Sequence, residues 1–321
     1  MRTYRQLTSG ERYALSALRK QGCSQAQIAR TLNRHPSTIS REIRRNSKDR
    51  TGRVYRPTLA DDYARWRRSR SRRNQRFTPD YWAVVVAHLK KEWSPEQISG
   101  WLRRKRRLSI SHETIYRYIW EDRRRGGALY QHLRGSQKQR RKRYGRYDSR
   151  GRLAGKRLIS ERPAAAHNRS RVGHLEADTV IGNLSDKHCV LTLVDRKTGY
   201  VMIGKLEART VEATNRRAVR LINDAARHTH TVTADNGTEF HGYDEIEAAT
   251  GSTFYFATPY HSWERGTSEN TNGLIRQYLP KRQSMAHVTQ RHCNRIAAKL
   301  NNRPRKRLGF LTPRECYEKK L

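Results

Sequence analysis

The chain has 321 residues, of which 69 are Lys or Arg and 29 are Asp or Glu, so its formal net charge is +40. Only 35% of the residues are hydrophobic, which favours several modules joined by linkers over one large core. The positive side chains repel one another unless a bound polyanion neutralises them. A net charge of this size therefore argues against an enzyme that acts on small molecules.

The positive charge is concentrated in the first half of the chain. Residues 1–173 contain 46 basic and 13 acidic residues, a net charge of +33, whereas residues 174–321 carry only +7. The sequence has no apolar run of about 18 residues and no apolar leader, so neither a membrane partner nor secretion is expected. The four cysteines form no CxxC pair, which argues against a zinc cluster and fits a reducing cytoplasm.

An internal repeat occupies the basic half. Residues 24–32 resemble residues 94–102, and residues 38–43 resemble residues 114–119. The offset is 70 in the first pair and 76 in the second, so the second copy has a longer turn. Within each segment the apolar residues are spaced four apart, as on one face of a helix. Each copy is therefore predicted to be a helix-turn-helix.

The second helix of each copy, at about 36–46 and 111–120, would enter the major groove of double-stranded DNA. Small hydroxyls and arginines near its start suit contacts to bases and phosphates. An ordinary helical hairpin remains an alternative for the first copy. The aromatic Tyr116, Tyr118 and Trp120 leave open a dimerising or packing helix in the second. The residues expected to contact DNA are Ser37, Thr38, Ser40, Arg41 and Arg44 in the first copy and Ser111, His112, Thr114 and Arg117 in the second.

The domain organisation follows from these segments. We expect a first helix-turn-helix domain at 1–50, a basic linker at 51–76, a second helix-turn-helix domain at 77–134, a second basic linker at 135–173 and a catalytic core at 174–321. In the core, strands are predicted at 175–181, 189–195, 200–206, 231–234 and 252–257, with helices at 211–226, 267–279 and 287–301. Three consecutive strands followed by alternating helices and strands predict a mixed sheet with helices packed on it.

Three carboxylates of the core form a candidate catalytic site: Asp178 in the first strand, Asp235 just past a short strand, and Glu269 near the start of a helix. Clustered carboxylates repel one another unless a cation joins them, and hard divalent ions prefer oxygen ligands. Two such ions can activate a nucleophile and stabilise the leaving oxygen of a phosphodiester. Taken singly, each carboxylate also has a structural explanation. Asp178 could be a buried group with its hydrogen bonds made, Asp235 could belong to an Asp-Asn-Gly turn, and Glu269 could favour a helix N-terminus.

Neighbouring residues extend this candidate site. Glu269, Asn272, Gly273 and Arg276 fall on one face of the predicted helix, and we expect Asn272 and Arg276 to contact DNA. Four other carboxylates remain alternatives or supporting groups: Glu176, Asp195, Glu239 and Glu264. A zinc site at His174 and His261 is disfavoured, because structural zinc needs four closely arranged Cys or His ligands.

The motifs together resemble a known family. They are LEADTVIG at 175–182, ADNGTEF at 234–240, TPYHSWERGTSENTNGLIRQY at 258–278 and NNRP at 301–304. With the two helix-turn-helix units, they resemble bacterial insertion-sequence transposases of the insertion-sequence thirty family, which have an integrase-like catalytic core. The departures are mild: Leu175 stands where Trp is usual, and Glu264 where Gln or another residue is common.

The resemblance implies a multidomain α + α/β protein with two N-terminal helix-turn-helix modules and a ribonuclease-H-like mixed-sheet core. It implies that Asp178, Asp235 and Glu269 are the catalytic triad and bind two Mg²⁺ ions, for which Mn²⁺ would substitute. The expected function is a DNA transposase, a DDE polynucleotidyl transferase that binds terminal inverted repeats, cleaves DNA and transfers strands. The expected partners are element ends, target DNA and further copies of the chain in a homodimer or larger assembly, in the cytoplasm at the nucleoid.

Two other classes remain open. One is a transcription regulator whose core has lost activity, against which an intact triad argues. The other is a structure-selective nuclease of the same fold, against which paired sequence-reading modules argue.

Overall fold

The structure is a computed structural model that describes residues 6–47, 54–70, 77–134, 155–183, 186–258 and 261–319. The chain divides into two compact units, Met1–Asp80 and Tyr81–Leu321. In the described part of the chain, no helix is both long and apolar enough to cross a membrane.

The first unit contains four helices: α1 (Ser9–Lys20), α2 (Gln25–Thr31), α3 (Pro36–Asn46) and α4 (Pro57–Arg70). Thr8 and Ser24 close capping boxes on the first two helices, each supplying a side-chain oxygen to a backbone N–H that has no helical partner. Leu15, Ile28 and Ile39 form a buried core between the helices. The predicted helix-turn-helix and its second helix at 36–46 are confirmed.

Helix α4 differs from the expected linker at 51–76. Its small Ala60 is fully buried, and its Asp61 accepts a hydrogen bond from Arg12 of α1 at 2.5 Å. Arg12 also donates to Glu42 of α3 at 2.7 Å. The sequence did not predict this helix because its buried face consists of alanines and one ion pair and therefore lacks large apolar residues at helical spacing. Many arginines surround these positions.

The second helix-turn-helix opens the second unit and comprises α5 (Pro79–Lys90), α6 (Pro95–Arg104) and α7 (His112–Arg124). Ser94 caps α6 with Pro95 in its first turn, and Ser111 caps α7. The repeat also includes the turns that follow α2 and α6. Asn33 lies two residues after the end of α2, Arg106 lies two residues after the end of α6, and both have a positive φ. The second predicted helix-turn-helix is confirmed as well, and its last helix runs to Arg124.

The core is a five-stranded mixed sheet. Its strands are β1 (His174–Ile181), β2 (Cys189–Asp195), β3 (Val201–Leu206), β4 (Thr231–Ala234) and β5 (Thr253–Phe256), in the order β3-β2-β1-β4-β5. The first three strands are antiparallel, and β4 and β5 run parallel to β1. This is the expected ribonuclease-H-like mixed sheet.

Helices cover both faces of this sheet. The remaining helices are α8 (Ala164–His167), α9 (Val211–Asn223), α10 (Tyr243–Thr250), α11 (Gly266–Ile275), α12 (Gln290–Asn301) and α13 (Pro313–Glu318). Apolar residues of α9 and α10 pack in one buried cluster with Leu175 and Ala177 of β1. Those of α11 and α12 pack in a second cluster with Val180 of the same strand. Because side chains alternate along a strand, Asp178 lies on the face that α11 and α12 cover.

The core begins before residue 174, within the expected second linker. Leu158 forms a bridge with Phe256 of β5, and Ala166 of α8 is fully buried. Arg162 is buried and donates to the hydroxyl of Thr233 at 3.2 Å. Residues 155–173 therefore belong to the core, although their basic composition resembles a linker. Residues 135–154 of the expected linker lie outside the described residues.

Candidate active site

Asp178 lies in the middle of β1, opposite Thr192 of β2. One carboxylate oxygen accepts a hydrogen bond from the Asn272 side chain of α11 at 2.7 Å, and the other accepts one from the backbone N–H of Thr179 at 2.9 Å. Burial raises the pKa of the Asp178 carboxyl, the nearby Arg265 opposes that rise, and the charge of Asp235 adds to it. The carboxylate is thus held on both oxygens in a setting that favours a nearby cation.

Asp235 follows β4, which runs parallel to β1 and pairs with its first half. Its Oδ1 accepts a hydrogen bond from the backbone N–H of Gly237 at 3.0 Å, which fixes the turn after the strand. Neighbouring strands therefore bring Asp178 and Asp235 to the same part of the sheet, as the sequence predicted.

Arg265 joins these two carboxylates. Its Nη2 lies 3.2 Å from Asp235 Oδ2, and its Nη1 lies 3.7 Å from Asp178 Oδ1. The same Nη1 donates to the carbonyl of Ala177 at 3.2 Å. A single guanidinium thus contacts both candidate ligands. Arg265 was not among the predicted site residues, although it stands four residues before Glu269 within the family motif.

Glu269 lies on α11 and is exposed. Among the described residues, no group of three His, Cys, Asp or Glu is arranged to hold a metal ion. The structure therefore brings together two members of the predicted triad, and Glu269 does not complete a group of three ligands with them. Its role stays a prediction, supported by the position of Asn272, which follows Glu269 by three residues and reaches Asp178.

Glu176 sets the position of α11. Its fully buried carboxylate accepts a hydrogen bond from the backbone N–H of Ser268 at 2.7 Å and pairs with Arg196. Because Glu176 and Asp178 lie on the same face of β1, the strand fixes both the start of α11 and the carboxylate that Asn272 contacts. Glu176 thus positions α11 next to Asp178, and a supporting role in catalysis stays a prediction.

The other three carboxylates also have structural partners. Glu239 accepts two hydrogen bonds from Arg209 at 2.9 and 2.8 Å and one from Thr179 at 2.7 Å. Glu264 accepts hydrogen bonds from the backbone N–H of Thr258 at 2.8 Å and from its hydroxyl at 3.1 Å. Asp195 is buried and accepts backbone hydrogen bonds from Gly173 at 2.9 Å and Thr198 at 2.7 Å. These bonds give each of the three a role in holding loops and strand ends in place.

The two histidines considered as zinc ligands have other neighbours. His174 is buried, and its Nδ1 lies 2.8 Å from the hydroxyl of Thr231. Burial and the nearby His230 lower the pKa of His174 to about 4. His261 stacks on the ring of Trp263 at a centroid distance of 4.4 Å.

The predicted DNA-contacting side chains of the first unit lie on α3. Ser40, Arg41 and Arg44 are exposed, and Ser37 and Thr38 are half-buried at its first turn. The apolar positions between them face inward, as expected. This exposure is compatible with groove contact, and the contact itself remains a prediction.

In the second unit, the start of α7 is also accessible. Ser111, His112 and Arg117 are exposed, and Thr114 is half-buried. Of the aromatic residues that left a packing role open, Tyr118 stacks on Trp82 of α5 at a centroid distance of 3.9 Å. Tyr116 and Trp120 are exposed, so they do not pack within this module, and their exposure does not test the dimerising alternative.

Comparisons with known proteins found one domain model, several full-length relatives and similar solved structures. A helix-turn-helix domain model matches residues 3–46. The transposase for insertion sequence element IS4351 of Bacteroides fragilis is 43% identical over 312 residues, which cover 97% of this chain and 95% of that protein. The transposase InsI for insertion sequence element IS30A of Escherichia coli strain K12 is 39% identical, over 98% of this chain and 83% of that protein. A crystal structure of the catalytic core domain of BIV integrase matches 45% of this chain and 93% of that chain, with 20% identity and a TM-score of 0.37.

Nearly full-length identity of about two residues in five places the chain among insertion-sequence transposases, the polynucleotidyl transferases of DNA transposition. Within that class it belongs to the IS30 family. The resemblance inferred from its motifs is confirmed.

Proposed function

We propose that this transposase binds the terminal inverted repeats of its insertion sequence through the two helix-turn-helix modules. It then cleaves and joins DNA at a site formed by Asp178, Asp235 and Glu269. The observation that carries the proposal is the convergence of Asp178 and Asp235 on the single guanidinium of Arg265. Two carboxylates from neighbouring strands that share one cation, beside a helix carrying a third carboxylate, are suited to divalent ions.

The residues fit Mg²⁺ as the natural ion and Mn²⁺ as its substitute. All three proposed ligands are carboxylates, and oxygen-only ligation favours these ions over Zn²⁺. When bound, a pair of such ions would activate the attacking oxygen and stabilise the leaving oxygen of a phosphodiester. Asn272 would keep one oxygen of Asp178 oriented, and Arg265 would leave the two carboxylates. Glu269 would turn from solvent toward them to complete the ligand set.

The reaction has two displacements at phosphorus. Water first attacks a phosphodiester at the element end, the P–O bond to the 3′-oxygen breaks, and a 3′-hydroxyl is released. That hydroxyl then attacks a phosphodiester of target DNA and displaces its 3′-oxygen. A single site cannot act at both ends of an element at once, so the active form is a dimer or larger assembly. The protein would work in the cytoplasm, at the nucleoid.

Substitution of the three carboxylates tests this proposal. Asp178→Asn, Asp235→Asn and Glu269→Gln should each abolish cleavage and strand transfer but retain binding to element ends, since the basic helix-turn-helix modules are unchanged. Glu212→Gln, at an exposed carboxylate of α9, is the matched control and should remain active. Strand transfer by Glu269→Gln would remove Glu269 from the site. Cleavage without joining by the wild-type protein would favour a nuclease, and binding without either reaction would favour a regulator.

A further inference from the structure

Within the second unit, the helix-turn-helix module is fixed to the catalytic core by a buried ion pair. Glu92, in the turn before α6, accepts hydrogen bonds from Arg303 at 2.8 Å, from Lys299 at 3.1 Å and from the hydroxyl of Tyr278. The Arg303 side chain is fully buried, and burial of a charge is tolerated only when it is paired. The module therefore does not behave as a domain on a flexible tether.

A second contact strengthens this attachment. Gly100 of α6 lies against the ring of Phe310, so close that a Cβ at this position would collide with it. Arg104 of the same helix donates to the carbonyl of Gly309 at 3.1 Å. Because α7 packs on α6, these contacts hold the module that contains α7 against the core that contains α11.

A groove of about 930 Å³ lies between α7 and α11. This is near the upper end of the range of about 300–1,000 Å³ for ligand sites. One wall comes from α7 and the turn after it, and the other from α11 and the residues that follow it. Among the described residues that line it, the charged ones are Arg123, Arg134 and Arg276, and the aromatic ones are Tyr116, Trp120 and Tyr130.

The groove combines positive charge with exposed rings. The guanidinium of Arg123 lies 4.6 Å from the ring centre of Tyr130 and 5.7 Å from that of Trp120. No carboxylate is present among the described lining residues. Rings and guanidinium planes bind the faces of unpaired bases, while arginines neutralise the phosphates. A paired duplex keeps its base faces stacked inside and offers the rings no partner.

The groove and the candidate active site share helix α11. Gly273 of α11 and Arg276, the residue after this helix, line the groove, and Asn272, next to Gly273, donates to Asp178. Glu269 lies about one helical turn before Gly273 on the same helix. At the opposite wall, Tyr116 and Trp120 extend from α7, whose first turn is predicted to read duplex DNA.

From this position and chemistry we propose that the groove holds the unpaired nucleotides of one DNA strand at the element end, between the duplex read by α7 and the cleavage site. This inference rests on the proposed function. It adds that the end is opened before it is cut and that Trp120 and Tyr130 stack on the exposed bases.

The test compares two DNA duplexes with the same element end, one fully paired and one with three mismatched base pairs at the cleavage point. Binding of the full chain is measured without divalent ions, and a 2-aminopurine in the mismatched segment reports base stacking by its fluorescence. Trp120→Ala should weaken binding of the mismatched duplex about fivefold or more, as expected for loss of one stacked base. It should change binding of the paired duplex less than twofold, and it should abolish the fluorescence quenching seen with the wild type.

Matched variants separate stacking from charge and from misfolding. Trp120→Phe should restore most of the preference, since it keeps a ring. Arg123→Ala should reduce binding of the mismatched duplex, whereas Arg124→Ala should reduce it less, because Arg124 is exposed, pairs with Glu121 at 3.2 Å and does not line the groove. Unchanged melting temperatures confirm that the variants fold.

Two outcomes would overturn the inference. Equal losses on both duplexes would show that the groove binds duplex phosphates, and no loss on either would show that DNA does not enter it. The inactive variant Asp178→Asn should retain the preference for the mismatched end. Its result therefore separates failure of the groove from failure of the proposed catalytic site.

Discussion

Replacement of Arg265 by Gln tests whether a divalent metal ion displaces the Arg265 guanidinium from Asp178 and Asp235. With the two carboxylates, the wild-type side chain makes one charge-assisted hydrogen bond, to Asp235 at 3.2 Å, and one longer ionic contact, to Asp178 at 3.7 Å. A hydrogen bond to a charged group contributes about 1.5–3 kcal/mol, and a partly exposed ionic contact adds less than about 1 kcal/mol. A divalent ion must displace both contacts, so their loss should tighten metal binding by about 2 kcal/mol, or roughly 30-fold.

Calorimetric titration of Mn²⁺ into the DNA-free full chain measures this effect. Arg265→Gln should bind Mn²⁺ more tightly than the wild type. Arg157→Gln, which breaks an exposed ion pair with Glu247 elsewhere in the core, should bind it equally well. An unchanged or weaker affinity in Arg265→Gln would refute the idea that this arginine and the metal compete for the same oxygens.

The pH dependence of the same titration provides a second check. Burial and the charge of Asp235 raise the pKa of Asp178, and Arg265 lowers it. Removal of Arg265 should therefore raise this pKa further, and a protonated carboxyl does not bind metal. The affinity of the variant for Mn²⁺ should begin to fall at a higher pH than that of the wild type as the solution is acidified.

Three further predictions concern other parts of the chain. Chelation of divalent ions should stop cleavage without lowering the melting temperature, and Mg²⁺ or Mn²⁺, but not Zn²⁺ alone, should restore activity. Arg41→Ala or Arg44→Ala should weaken binding to element ends by about 1–3 kcal/mol and relax preference at one base position, measured against random DNA. Arg12→Met should destabilise the first unit by about 1–3 kcal/mol in denaturant titrations, because the buried Glu42 loses one of its two arginine partners and keeps only Arg45. Hydrogen bonds from Ser9 and Arg12 lower the pKa of Asp61. The stability that the ionised Asp61 gives to the first unit should therefore be lost as the pH falls through that lowered pKa.

The elements that the sequence predicted well are those whose apolar spacing is regular. Residues 36–46 and 231–234 match α3 and β4 at both ends. Helix α11 begins one residue before its predicted start and ends at Ile275, four residues before its predicted end. Beyond it Leu279 remains buried, so the apolar spacing continued although the helix did not.

The misassigned elements are those held by polar groups. Helix α4 packs through alanines and the pair of Arg12 and Asp61, and the segment before β1 is anchored by the buried Arg162. Neither leaves an apolar period, and both stand among arginines that suggest a solvated linker. The partners of these arginines are distant in sequence, so no local pattern could indicate them.

Long-range partners were also the part of the candidate site that could not be predicted. Sequence motifs singled out Asp178, Asp235 and Glu269, but they did not predict how the competing carboxylates are used. In the structure, Glu176 has Arg196 and Ser268, and Glu239 has Arg209 and Thr179 as partners of their own.

This division of partners argues for the proposed ligand set. A buried carboxylate that is fully satisfied by fixed donors cannot bind a metal without losing those bonds, at a cost of about 1–3 kcal/mol for each group left unpaired. Asp178 and Asp235 also accept hydrogen bonds from fixed groups, but the cation that pairs with them is the single side chain of Arg265, whose flexible chain can withdraw. Residues 174–321 carry a net charge of only +7, and several of their arginines pair with carboxylates around the site. DNA attraction is left mainly to residues 1–173, with a net charge of +33. The protein thus separates strong phosphate binding from a site where an excess of fixed cations would compete with the metal.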